Sequence, residues 1–268
     1  MTTNVVIGAG SGMGEAVAKQ LAREPRRLVL ADLNLDAAQR VADGLEGDIE
    51  VVRCDIGVRA DIEALAATVG SLGRLVLTAG LSPTMAPGRR IHEINLIAPT
   101  VLLEVFLPLA GPGSVCVLFS SMAGHAVPAV EPLDAIIDHP LSPAYFDDLA
   151  ALGVDADEPG GAYGISKRGL MRLVQRECLT WGKRGARLVT ISPGIVDTPM
   201  GRQEKAQQPV MAGLVANSAL GRELSADELA NVAVFAASDA ASALTGTDIL
   251  VDGGAVPGMA AMMAQLAE

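Results

Sequence analysis

The chain predicts an α/β fold, a doubly wound parallel sheet of about seven strands with helices on both faces. Short apolar runs recur from end to end, each stopping at Gly, Asp or Ser, and amphipathic stretches of helical length separate them. A strand buried on both faces reads as a continuous apolar run, as a parallel sheet covered on either side by helices requires.

In chain order the strand candidates are "NVVIGAG", "RRLVLADL", "IEVVRCD", "GRLVLTAG", "GSVCVLFSS", "ARLVTISPG" and "DILVDGG". Helical periodicity falls at 12–23, 36–44, 59–70, 89–109, 161–183 and 225–237. No repeat or low-complexity segment interrupts the alternation, so one domain over 1–268 is expected. Residues 125–162 break the rhythm, placing a long connection where a strand and its helix are usually about 2–6 residues apart. This insertion holds two short helical patterns, 132–138 and 143–152, bracketed by prolines.

Half the residues are hydrophobic and only 3% aromatic, so the core is built from Ala, Val, Leu and Ile. The net charge of −11, with no basic stripe, argues against a nucleic-acid partner. Cys54, Cys116 and Cys178 lie far apart with no CxxC spacing, and read as reduced core residues rather than a disulfide framework or metal site. The N-terminus lacks the pattern of a secretion signal, and no run of about 18 apolar residues suggests a membrane span. A cytoplasmic enzyme is expected.

"IGAGSGMG" places Gly8, Gly12 and Gly14 after the first strand and at the start of a helix. Glycines there let backbone N–H groups approach a diphosphate, the feature of a Rossmann-type dinucleotide site. Asp32, ending the second strand ahead of Leu33, can accept both hydroxyls of an adenosine ribose and repel a 2′-phosphate. No arginine follows it, which favours NAD over NADP; the alternative is a turn Asp capping the next helix. Asp55, before Ile56, is placed to meet an adenine amino group or to cap a helix.

Tyr163, Lys167, Leu170, Val174, Cys178 and Trp181 share one face of a predicted helix. The Tyr–Lys pair therefore continues an apolar stripe instead of facing water, and a core-facing lysine calls for a partner. A tyrosine acting as base near neutrality needs its pKa lowered by roughly 3 units, about 4 kcal/mol. One cation about 4 Å away at an effective dielectric of 20 supplies about that much.

Tyr163-xxx-Lys167, Gly8-xxx-Gly12-x-Gly14, "TAG" at 78–80, "SSMAG" at 120–124 and "ISPG" at 191–194 together resemble the short-chain dehydrogenases/reductases over nearly the whole chain. The resemblance implies NAD as cofactor and an alcohol or ketone as substrate. It makes Tyr163 the acid/base and Lys167 its pKa-lowering partner. Ser121 becomes the group that holds the substrate oxygen, with Ser120 the rival, and Asn95 a proton relay. It also implies that Ser11, Met13, Ala79 and Gly80 border the cofactor, that Pro193, Gly194 and Ile195 follow suit, and that Thr198 reaches the carboxamide. Asn95 shares an apolar stripe with Ile91, Ala98 and Leu102, and Pro99 four residues on has no N–H. The Asn95 carbonyl thus loses its helical donor and can hold a water; otherwise Asn95 is a polar residue tolerated at a kink.

The chain departs from the family pattern in three places. Ile7 stands for a Thr, and Leu77-Thr78 for an Asn-Asn pair that braces the sheet. Ser121 and Tyr163 are separated by the long insertion, which resembles one in bacterial 3α-hydroxysteroid dehydrogenase/carbonyl reductases. That likeness implies a bulky apolar alcohol or ketone such as a steroid, with a small apolar alcohol as the alternative; the insertion serves either substrate binding or subunit contact. A nucleotide-sensing protein without turnover is disfavoured because Tyr and Lys are both present. Homodimers or homotetramers are expected by the same likeness. Residues 199–222 are expected to form a substrate lid, with Met200, Met211 and Leu214 as lining or as packing.

Overall fold

A computed structural model describes residues 2–208 and 210–266, the side chains of 262–266 excepted. The strands are β1 (Thr3–Ile7), β2 (Arg27–Asp32), β3 (Ile49–Arg53), β4 (Leu72–Leu77), β5 (Val115–Phe119), β6 (Arg187–Pro193), β7 (Val196–Asp197), β8 (Leu224–Ser225) and β9 (Thr247–Val251). The first half of the chain contributes helices α1 (Gly12–Leu21), α2 (Leu35–Ala42), α3 (Arg59–Thr68), α4 (Gly88–His92) and α5 (Ala98–Phe106). Then follow α6 (Met122–Ala126), α7 (Glu131–Ile137), α8 (Tyr145–Ala151) and α9 (Pro159–Gly182). The last four are α10 (Pro199–Gln207), α11 (Val210–Ala216), α12 (Ala226–Ala236) and α13 (Ala255–Leu266).

Seven strands form one parallel sheet in the order β3-β2-β1-β4-β5-β6-β9, and β7 pairs separately with β8. The predicted strands are those seven. Strand alternation divides the core: Val5 and Ile7 join one layer while Val6 between them joins the other. Ile62, Leu65, Leu102, Phe106, Leu173 and Trp181, from α3, α5 and α9, fill the first layer. Val17, Leu21, Val41, Leu229 and Ala233, from α1, α2 and α12, fill the second. Chain direction across the sheet reverses between β1 and β4, which opens a crevice beyond their C-terminal ends.

Two expectations need correcting. Cys54 and Cys116 are buried free thiols, but Cys178 is only half-buried beside the turn at Gly246, while Trp181 further along the same face is fully buried. The brace thought missing at Leu77-Thr78 is present in another form, since the Thr78 hydroxyl donates to the Ile7 carbonyl at 2.9 Å. One helical stretch, Gly88–Leu109, is long and apolar enough by composition to cross a membrane. Its Ile91, Leu102 and Phe106 are buried in the protein, as in a core helix.

The insertion forms α7 and α8, close to the two predicted short helices, and builds a small core of its own. Ile137, Tyr145, Leu149 and Ala156 pack with Leu96 and with Ile165 of α9. Asp134 on α7 and Asp138 at its C-cap, one turn apart, face Arg168, Arg172 and Arg176, spaced at four residues on α9. Arg168 grips both oxygens of Asp134 at 2.7 Å, and Arg172 grips those of Asp138 at 2.7 and 2.6 Å. Such fork-to-fork pairs fix orientation as well as distance.

Candidate active site

The crevice is a cavity of about 600 Å³. The loop between β1 and α1 forms its floor. Gly8 turns the chain with φ of +87°, and a Cβ on Gly14 would stand 1.9 Å from the Gly8 carbonyl oxygen, so the packing of helix on loop admits only glycine. Ser11 is the N-cap of α1 but supplies no side-chain cap. The first-turn N–H groups of Gly12, Met13 and Gly14 have no partner within the helix and border the cavity, which fits a diphosphate.

Asp32 is not a helix cap, since Asn34 caps α2 by accepting from Ala37. Instead Asp32 accepts from Gly10 N and Asn34 N, both at 2.8 Å, which aims its carboxylate into the cavity beside Leu33. These bonds leave lone pairs for ribose hydroxyls. Asp55 is likewise no cap: Val58 holds that position on α3, and Asp55 accepts from Gly57 N at 2.8 Å. Ile56, Ala79, Gly80, Pro193, Gly194, Ile195 and Thr198 all line the same cavity, as do Gly8 and Ser11.

Ser121, Tyr163 and Lys167 border it from the other side. Ser120 and Ser121 are divided by their bonds. The Ser120 hydroxyl donates to the Lys167 carbonyl at 2.8 Å and so serves α9, whereas Ser121 caps α6 and acts on the phenol of Tyr163. Helix α9 starts at Pro159 behind the N-cap Glu158, which puts Tyr163 in its second turn. Lys167 lies with Nζ 5.7 Å from the Tyr163 ring centroid and donates to the Phe119 carbonyl at 2.9 Å. Burial drives the two groups in opposite senses, the phenol up to about 12 despite Ser121, and the ammonium down to about 8. The lowered phenol expected from Lys167 is therefore not seen, because desolvation outweighs an ammonium turned toward a carbonyl.

Asn95 is buried but does not line the cavity. Its side chain accepts from Leu81 N at 2.8 Å and donates to Leu81 O at 2.9 Å, bracing the loop after β4. It lies close to the lysine: a Cβ placed on Gly80 would be 3.1 Å from Asn95 Oδ1 and 3.6 Å from Lys167 Nζ. Asn95 is the centre of a π-helical turn, Glu93–Ile97, just ahead of Pro99. With its amide spent on Leu81, a relay role would fall to its main-chain carbonyl.

In the segment 199–222, Met200 and Met211 line the cavity, while Leu214 packs beside it against Met122, Ile195 and Ala255. No residue between 125 and 162 is among those lining this cavity. Sequence reading missed Arg90, Phe119 and Glu204 among the lining residues. Phe119 acts through a carbonyl, and Glu204 sits in a polar stretch with no motif around it, so neither carried a signal.

A family model described as short chain dehydrogenase matches residues 2–132, and one described as Enoyl-(Acyl carrier protein) reductase matches 150–256. "Short-chain dehydrogenase/reductase bsc3" of Alternaria brassicicola is 34% identical, over 95% of this chain and 96% of that one. The 3-alpha-hydroxysteroid dehydrogenase/carbonyl reductase of Comamonas testosteroni is 31% identical, over 95% of this chain and 96% of that one. The crystal structure of a 3-alpha-hydroxysteroid dehydrogenase from Pseudomonas sp. B-0831 complexed with NADH superposes with a TM-score of 0.75 at 25% identity, covering 98% of this chain and 99% of that one. The chain belongs to the short-chain dehydrogenase/reductase family of oxidoreductases, whose members bind a nicotinamide cofactor.

Proposed function

We propose that the protein is an NAD-dependent oxidoreductase interconverting a secondary alcohol and a ketone on a bulky, largely apolar substrate such as a hydroxysteroid. The observation that carries this reading is convergence: Ser121, Tyr163 and Lys167 border the same cavity as the glycine loop and Asp32. The names of the Comamonas relative and of the NADH-bound Pseudomonas structure support it.

A bound NAD would supply the hydride acceptor and a positive charge near the phenol. The N–H groups of Gly12–Gly14 hold its diphosphate, Asp32 its ribose, and Thr198 its carboxamide. Ser121 orients the substrate oxygen and Tyr163 takes the alcohol proton. An ammonium about 6 Å away at an effective dielectric of 20 favours a phenolate by roughly 3 kcal/mol, about two pKa units. Burial outweighs that attraction and leaves the phenol at about 12 with Lys167 in place, so proton abstraction near neutrality requires the second cation as well. Assembly as a homodimer or homotetramer is supported by exposed Leu179, Phe235 and Leu250 on α9, α12 and the edge strand β9; a monomer by sedimentation would remove that part.

The test is a panel of hydroxysteroids and alicyclic alcohols with NAD, followed by absorbance of the reduced nicotinamide. Tyr163→Phe is expected to cut turnover by at least about 100-fold while NAD still binds. Turnover that survives this substitution refutes the assignment.

A further inference from the structure

Five charged residues line the cavity: Asp32, Asp55, Arg90, Lys167 and Glu204. Four have partners in the protein: Asp32 holds Gly10 and Asn34, Asp55 holds Gly57, Arg90 pairs with Glu93, and Lys167 reaches Phe119. The side chain of Glu204, on α10, has no hydrogen bond or ion pair to any described residue. It is half-buried, and burial raises its carboxyl above the ordinary value. Its charge reaches Tyr163, where it opposes ionisation of the phenol.

The surroundings make this carboxylate anomalous. Leu81, Met85, Ile195, Met200 and Met211 line the cavity with apolar surface. A carboxylate among such groups costs free energy unless a donor meets it. Arg202 and Lys205, its charged neighbours on α10, pair instead with Asp197 and Glu223. The donor is therefore to be sought in what enters the cavity.

We propose that Glu204 selects the substrate by accepting a hydrogen bond from a donor group, a second hydroxyl or an ammonium, carried on an otherwise apolar body away from the reacting carbinol. The inference rests on the alcohol–ketone reading and narrows its substrate class. It has a kinetic consequence. A donor seated on Glu204 draws its negative charge away from the phenol, so the preference appears in kcat as well as in KM. A substrate without the donor binds against an unpaired carboxylate and leaves Tyr163 harder to ionise.

The test uses cyclohexanol, trans-1,4-cyclohexanediol and trans-4-aminocyclohexanol with NAD, on the unmodified protein and on Glu204→Gln and Glu204→Leu. The diol and the amino alcohol are expected to exceed cyclohexanol in kcat/KM by roughly 10- to 100-fold. Glu204→Leu removes both preferences and leaves cyclohexanol equal or better. Glu204→Gln keeps the diol preference and weakens that for the amine, because an amide oxygen still accepts a hydrogen bond but carries no charge for the ammonium. Equal treatment of the three by the unmodified protein, or a preference that survives Glu204→Leu, overturns the proposal. A binding arm separates this from failure of the reaction itself: with Tyr163→Phe and NAD, calorimetry should find the diol and the amino alcohol bound more tightly than cyclohexanol, and Glu204→Leu in that background should abolish the difference. No difference in that arm overturns the role of Glu204. A difference there without turnover in the unmodified protein upholds Glu204 and overturns the alcohol–ketone reading.

Discussion

Ser120 holds Lys167 by its backbone: the serine hydroxyl donates to the lysine carbonyl at 2.8 Å, while the ammonium of the same lysine donates to the carbonyl of Phe119 at 2.9 Å. The end of β5 thus grips one residue of α9 at both its main chain and its side-chain tip. Strand and helix are locked in register at the point where Tyr163 must face Ser121.

The two serines should separate on substitution. Ser120→Ala removes the second donor to a carbonyl that α9 itself still pairs and is expected to cost about 0.5–1.5 kcal/mol of stability, with a modest loss of rate. Ser121→Ala also removes the cap of α6, at about 1 kcal/mol, but is set apart by a fall in kcat of about 100-fold or more, the usual loss when a donor to a reacting oxygen is removed. Urea unfolding and steady-state kinetics on both variants decide it; exchanged effects would exchange the assignments.

Asp32→Ala is expected to lower kcat/KM for NAD by roughly 10- to 100-fold, and that for NADP by much less. Asp32 also ties Gly10 and Asn34, so the ratio between the two cofactors is the informative quantity. An unchanged ratio would mean that the carboxylate only holds the loop.

The arginine–aspartate ladder should fasten the insertion without touching the chemistry. Arg172→Met removes the residue shared by Asp134 and Asp138 and is expected to cost about 1–3 kcal/mol, with quicker protease cleavage within 127–142 and unchanged KM. The Arg168 bond holds the Asp134 carboxyl below the usual range; at Asp138, burial pulls upward but Arg172 and Arg176 together prevail. A depressed carboxyl contributes stability above its unfolded pKa and loses it as pH falls through its folded value, so the ladder weakens below about pH 4.

His92 should give an acid response at higher pH. It is fully buried, its Nδ1 lies 3.0 Å from the Tyr145 hydroxyl, and its Nε2 has no partner among the described residues. Burial, helped by Arg89, lowers its pKa to about 4. Between about 6.5 and 4 the unfolded chain takes up a proton that the folded chain refuses, so stability falls as pH falls. The expected loss from pH 7 to pH 5 is roughly 2 kcal/mol. Urea midpoints should show it in the unmodified protein and a flatter slope in His92→Phe; parallel slopes would refute the assignment.

Much of this was legible in the residues. The seven strands follow from apolar runs, the glycine loop from its place after the first of them, and Tyr163 with Lys167 from a shared helical face. The arginine ladder was legible in part, since 168, 172 and 176 stand at helical spacing, but nothing in the sequence named Asp134 and Asp138 as their partners.

By itself, then, the sequence determined the alternation of strand and helix, the loop that can cradle a diphosphate, and the pairing of a tyrosine with a lysine one turn on. These are local properties, written in periods of two and of about three and a half residues. Only the tertiary structure decided that Lys167 turns toward the Phe119 carbonyl, that Asn95 spends its amide on Leu81, that the insertion stays off the cavity, and that Glu204 lines the same cavity as Tyr163. Those relations join residues distant along the chain, often through backbone atoms that every residue shares, and so they exist only once the layers have packed.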